Sequence, residues 1–296
     1  MPSKKIHHSI YEQFWFKDVP SFFTTKTLRV LSISCIVVGI YTWAVIYFEF
    51  QILHIDFKPS STLFSFLGLV LGLLLVFRTN TAYDRWWEGR RLLGSLLNDS
   101  RSLALKLDAY LPETAIEDRN YLAEQISNFG FALKEHLRFG VKFEELQLDA
   151  ETELALKKSI HVPNAISGLI YKRINKLYKS GIISEEQFIV IDKQIVALTD
   201  ILGSCERIKS SPIPAAYATH LKMFMFFYVC ILPFGIMHDM RFWSVPIMVM
   251  VFYAFVGLEI IGEEIEDPFG HDPNDLPTDA ISVKIKNNVD EILLKP

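Results

Sequence analysis

Carboxylates are the residues of this chain with the types and spacing to do chemistry. Asp84 and Glu88 stand four apart, one helical turn, and Glu263, Glu264, Glu266 and Asp267, with Asp272 and Asp275 close behind, offer the oxygen density that a divalent cation takes. Each group also has a plainer reading. Arg78, Arg85, Arg90 and Arg91 give the first pair ready salt-bridge partners, and Ile265 and Pro268 interrupt the second run. Glu263, Glu266 and Asp267 are therefore weak metal candidates, expected instead to end an apolar span and pair with arginines of the polar middle of the chain. The eight histidines are scattered, with no His-Glu-x-x-His and no Glu-x-x-His, so zinc and di-iron chemistry lack a local signature. Cys35, Cys205 and Cys230 have neither metal nor redox-motif spacing. No nucleophile elbow or phosphate-binding glycine loop is present. No enzyme and no cofactor is expected.

The elements that must position these groups are long helices, several of them apolar enough to lie in a bilayer. Half of the residues are apolar and the mean hydropathy is positive. Four apolar segments, Leu28 to Phe50, Pro59 to Phe77, Leu221 to Met237 and Phe242 to Ile261, fall into two hairpins. A helix needs about 20 such residues to cross a hydrocarbon core of roughly 30 Å. Between the hairpins, Arg78 to Thr219 repeats its apolar residues at helical spacing, as in Leu92, Leu93, Leu96, Leu103 and Leu107, with almost no strand signal. Breaks are expected at Leu111-Pro112, His161 to Asn164, Lys179 to Gly181 and Ser211 to Pro214. The formal net charge of −4 argues neither for nucleic acid nor for a disordered acidic tail. Lys4, Lys5, His7 and His8 precede no short apolar core with a cleavage site, so no signal peptide is read.

Positive charges close to the spans fix the expected orientation. Lys17, Lys26 and Arg29 precede the first span, while its connector to the second holds Glu49, Asp56 and one Lys58. Arg78, Arg85, Arg90 and Arg91 follow the second span, Arg207, Lys209 and Lys222 precede the third, and Arg241 alone lies between the third and fourth. Both termini and the polar middle are placed in the cytoplasm of a multi-pass inner-membrane protein. The expected organisation is a cytosolic N-terminal segment at 1–27, transmembrane hairpins at 28–77 and 220–262, a helical cytosolic domain at 78–219 and a cytosolic C-terminal segment at 263–296. The run Phe77 to Arg90 joins bilayer to water, and Asn80, Asp84, Trp87 and Arg91 share one helical face there by i, i+4, i+7, i+11 spacing. A polar stripe of that kind, with Arg78 beside it, suits a subunit contact. Glu259, near the end of the fourth span, is an intramembrane acid and a functional candidate on that ground.

That run, with Asn98-Asp99-Ser100-Arg101, Gly203-Ser204-Cys205-Glu206-Arg207, Pro212-Ile213-Pro214 and Glu263 to Gly270, resembles the bestrophin family in its bacterial form, over nearly the whole chain. The resemblance implies an all-α homopentameric ion channel with one central pore lined by the second span. It also implies a hydrophobic neck at Leu69, Leu73 and Phe77, whose rings at 1.5 Å rise per residue would stand about 6 Å apart over roughly 12 Å. The plain alternative is that Leu69 and Leu73 face lipid or a neighbouring helix. Gly68 and Gly72 are expected to let helix backbones approach closely. A cytosolic aperture falls at Glu186, where bacterial relatives can carry an aliphatic residue. Five carboxylates there would form a ring attracting cations, and Ser184-Glu185-Glu186-Gln187 is equally a capping box. Animal members gated by calcium carry a denser acidic run than Glu263 to Asp267.

The expected function is passive conduction of small monovalent ions, leaning to sodium-like cations on the aliphatic Leu69 and Leu73 of the neck and on Glu186, with a chloride channel as the alternative. The expected partners are further copies of the chain, the lipid bilayer and the ions, and no nucleic acid. A membrane-bound metal-dependent enzyme and a carrier are the rivals from other classes.

Overall fold

The computed structural model describes residues 26–53 and 60–294. The N-terminal segment lies outside the described residues except for Lys26 and Thr27, and so do Asp56 and Lys58. Among the described residues every regular element is helical: α1 Lys26–Phe48, α2 Ser61–Tyr110, α3 Ile116–His136, α4 Ala150–Lys157, α5 Val162–Lys179, α6 Glu185–Ser210, α7 Ala215–Met240, α8 Ser244–Glu266 and α9 Thr278–Leu293. Short 3₁₀ turns occur at Phe143–Glu145 and Arg241–Trp243, and a π-helical turn at Glu49–Leu53 follows α1.

Among the described residues three helical stretches are long and apolar enough to cross a membrane: Arg29–Ile52, Ser61–Tyr110 and Ala215–Glu266. The third is broken into α7 and α8 at Arg241, whose φ of 48° is a left-handed conformation that stops α7. The four apolar segments of the sequence thus sit in α1, the first half of α2, α7 and α8. Only 22%, 22% and 17% of the most apolar windows are buried within the chain, so most of their apolar surface needs lipid or other chains as a cover.

The helices group into two compact units. One comprises the described residues up to Asn80 together with Pro214–Glu263. Its core joins Val38 of α1, Phe64, Leu71 and Leu75 of α2, Leu221, Met225, Tyr228 and Leu232 of α7, and Met248 of α8. α7 and α8 run antiparallel, with the Tyr228 and Phe255 rings 5.9 Å apart and Lys222 bonded to Glu263 at 2.8 Å. Gly68 lets α2 meet α7 closely: a Cβ there would stand 2.5 Å from the Tyr228 hydroxyl. Gly235 of α7 does the same for Phe64, whereas a Cβ on Gly72 would meet nothing within 4 Å among the described residues.

The second unit comprises Thr81–Ile213 and the described residues from Glu264 onward. Its core is assembled from helical stripes: Leu93, Leu96, Leu103 and Leu107 of α2, Ile126, Phe129 and Leu133 of α3, Ile166, Ile170 and Ile174 of α5, Ile191, Ile195 and Leu198 of α6, and Ile285 and Val289 of α9. Each such fully buried side chain contributes about 1.5–3 kcal/mol over an exposed one. Helix ends follow the local sequence. Asp149 caps α4 by accepting from the Thr152 N–H at 2.8 Å, and Ser184 and Gln187 close the capping box of α6. Gly181, at φ 75°, turns the chain out of α5.

Candidate functional site

α2 carries two opposite faces. At 100° per residue, Phe64, Leu71, Leu75, Arg78 and Ala82 fall on one stripe, and all are buried. Leu69, Leu73 and Phe77 lie on the opposite stripe and are 71%, 55% and 57% exposed. Asn80, Asp84, Trp87 and Arg91 continue that second stripe by the same count, and each is exposed. Tyr83 stacks on Trp87, with ring centroids 6.5 Å apart. The expected neck and the expected polar stripe are therefore one face of one helix. Glu88 leaves the Asp84 pair, because its carboxylate accepts from Arg207 at 2.7 Å.

Arg78 is on the buried side. Its guanidinium Nε lies 3.4 Å from Glu259 Oε1, and both side chains are almost fully enclosed, at 2% and 3% exposure. Lys222 stands 3.8 Å from the same carboxylate and bonds Glu263. Glu259 thus belongs to a charge-compensated cluster of the apolar unit, and removing either partner of such a buried pair is costly.

Arg85 ties together the ends of two helices. Its guanidinium donates to the carbonyls of Ile208 at 2.7 Å and Ser211, at the end of α6, and to that of Glu266 at 2.9 Å, the last residue of α8. A cation there meets the orphan carbonyls and the negative ends of two helix dipoles. Nothing in the spacing of the Phe77 to Arg90 run marks this arginine from its neighbours.

The acidic stretch is held piece by piece. Glu266 accepts from the Ile213 N–H at 2.8 Å, and Asp267 pairs with Lys209 rather than with an arginine. Asp275 accepts from the Asp272 N–H at 2.6 Å. Burial pushes the Asp275 carboxyl up to about 6; the Asp272 N–H opposes that rise, while the charges of Asp272, Asp267 and Glu264 add to it.

Glu186 sits exposed in the first turn of α6. Its carboxylate accepts from the Ser184 hydroxyl at 2.7 Å, while Ser184 Oγ accepts from the Gln187 N–H at 3.3 Å. The Ser184 hydroxyl, then its own backbone N–H, holds the Glu186 carboxyl below the usual range. It is ionised at neutral pH and serves the helix start.

Folding also gathers residues that are far apart in sequence. His136, the last residue of α3, and His161, the N-cap of α5, both donate through Nε2 to Glu206 Oε1 of α6, at 2.7 and 2.6 Å. Partial burial pushes the Glu206 carboxyl up, but the bonds from His136 and His161 outweigh it, and the net direction is downward. Among the described residues this is the one group of three or more histidine, cysteine or acidic side chains with ligand atoms in metal-binding reach, all within 4.8 Å of one another. Each comes from a different helix, so no local motif announces them.

A family profile described as Bacterial/Fungal Bestrophin protein matches residues 7–291. A voltage-dependent anion channel-forming protein of Nostoc sp. is 38% identical over 230 residues, 76% of this chain and 75% of the relative. The voltage-dependent anion channel-forming protein YneE of Escherichia coli K12 is 31% identical over 269 residues, 90% of this chain and 85% of its own. A crystal structure of a bacterial bestrophin homologue from Klebsiella pneumoniae superposes with a TM-score of 0.84 at 26% identity, covering 89% of this chain and 99% of that one.

Proposed function

The chain belongs to the bacterial/fungal bestrophin family and is an ion channel of the membrane rather than an enzyme, and from that premise we propose that five copies surround one pore lined by α2. The observation that carries this reading is the largely exposed stripe of Leu69, Leu73 and Phe77, opposite the buried face of the same helix. Fivefold repetition brings these side chains together as a hydrophobic neck of roughly 12 Å that opens by widening and wetting. Asn80, Asp84, Trp87 and Arg91 share that face, so they line the path beyond the neck instead of forming the subunit contact that their spacing suggests. Glu186 is the candidate for the cytosolic aperture. The channel lies in the inner membrane with both termini and the polar unit in the cytoplasm, as the charges around the spans favour.

For the permeant ion we infer small monovalent anions, chloride foremost. The lean to cations finds no support in the relatives, whose names specify anions. Its two grounds are also weak at the residue level. Leu69 and Leu73 carry no charge of either sign, and the cap of α6 accounts for an acid at Glu186. The test is a planar-bilayer recording in asymmetric potassium chloride. Reversal near the chloride equilibrium potential is the expected result, and reversal near that of potassium overturns the anion reading. Leu73→Ala, measured beside the native protein in proteoliposomes, is expected to raise flux severalfold; unchanged flux removes Leu73 from the pore.

A further inference from the structure

We propose that His136, His161 and Glu206 form a binding site for a divalent transition-metal ion of the zinc class, one per chain. Two imidazoles and one carboxylate are a recurring zinc donor set, leaving a fourth position for water. Here the donors come from the end of α3, the N-cap of α5 and the body of α6. Their side chains are 27%, 30% and 35% exposed, which gives a solvent-borne ion access and leaves the fourth position open.

Both rings already converge on a single oxygen, with ring centroids 4.5 Å apart. Zinc–nitrogen and zinc–oxygen bonds of about 2.0–2.2 Å set ligand separations near 3.4 Å in a tetrahedron. The donors must therefore spread from 2.6 and 2.7 Å by about 0.7 Å. Two of the three residues sit at helix ends, where such a shift is easily absorbed. Without metal, the Asn164 N–H donates to His161 Nδ1 at 3.3 Å, so the ring proton is on Nε2, facing Glu206. Coordination through Nε2 requires the other tautomer and gives up that long cap bond. The ion then replaces two hydrogen bonds as the tie between α3, α5 and α6.

The experiment uses the full chain in detergent, washed with a chelator and titrated with Zn²⁺ against a chromogenic competitor. One Zn²⁺ per chain and a rise in Tm of several degrees at saturation are expected. His161→Asn, which keeps a capping side chain, and His136→Ala are each expected to weaken binding at least about 100-fold, while His271→Ala, outside the cluster, binds as the native protein does. Native binding retained in both cluster variants, or a native Tm that Zn²⁺ leaves unmoved, overturns the site. Co²⁺ bound to the unmodified protein gives a readout independent of variant folding. Intense visible absorption of a four-coordinate ion supports the site, and the weak spectrum of hydrated Co²⁺ overturns it.

Discussion

Asp275 is a carboxyl whose environment prefers it neutral. Its folded-state value of about 6 lies above the ordinary 3.8, so the folded state holds its proton more tightly than the unfolded chain. The resulting stabilisation is complete below about pH 4 and is lost as pH rises through about 6. Asp275→Asn keeps an oxygen to accept from the Asp272 N–H and carries no charge at any pH. Its Tm, followed by circular dichroism in detergent, is expected to match the native protein near pH 4 and exceed it by a few degrees at pH 7.5. Equal Tm values at both pH values would show that Asp275 bears no burial penalty. At this scale the sequence was least legible. The density of acids around Asp267 was plain, but the partners were not, because Arg85 of α2, Lys209 of α6 and Ile213 of the α6–α7 connector come to it from distant parts of the sequence. The eight histidines are scattered in the sequence, at separations that match no motif, and tertiary packing alone joins His136 and His161 to Glu206.

Several helix boundaries were far easier to read, since they are written in residues with a fixed backbone preference. α2 ends at Leu111-Pro112, α5 begins at the His161-Val162-Pro163 break and stops at Gly181, and α6 stops before Pro212. Proline removes a donor and glycine accepts positive φ, whatever the rest of the fold does. α9 was not foreseen; it fell within the expected C-terminal segment, whose short apolar stripe gains its meaning only against α3. The roles of the small residues in the spans were legible only in part, because a glycine in a sequence does not say which neighbour it admits. Gly235 admits Phe64, since a Cβ would stand within 2.7 Å of three ring atoms. Gly235→Ala is expected to cost about 1–3 kcal/mol, measured as a lowered Tm in detergent, whereas Gly72→Ala leaves the fold of the single chain unperturbed. Equal losses from both would indicate a general helix effect rather than a clash with Phe64.

For the whole molecule, the proposed pore requires an assembly of five chains of 34.1 kDa each. Native mass spectrometry from mild detergent is expected to give that mass, and a stable dimer or monomer would leave the Leu69, Leu73 and Phe77 stripe without a pore to line. The order in which the chain is made bears on how such an assembly arises. α3 and the turn that follows it are locked to α9 by Ser282 donating to the Gly130 carbonyl at 3.1 Å and by Asp279 bonding Lys134 at 2.5 Å and, just past α3, Arg138 at 2.8 Å. Yet α7 and α8 are translated between them. The ribosome must therefore hand both apolar helices to the insertion machinery before α3 receives the partner that completes its core. Maturation of the polar unit is timed by membrane insertion, and a nascent chain stalled before Thr278 leaves Gly130 of α3 without Ser282 and Ile285 of α9 against it.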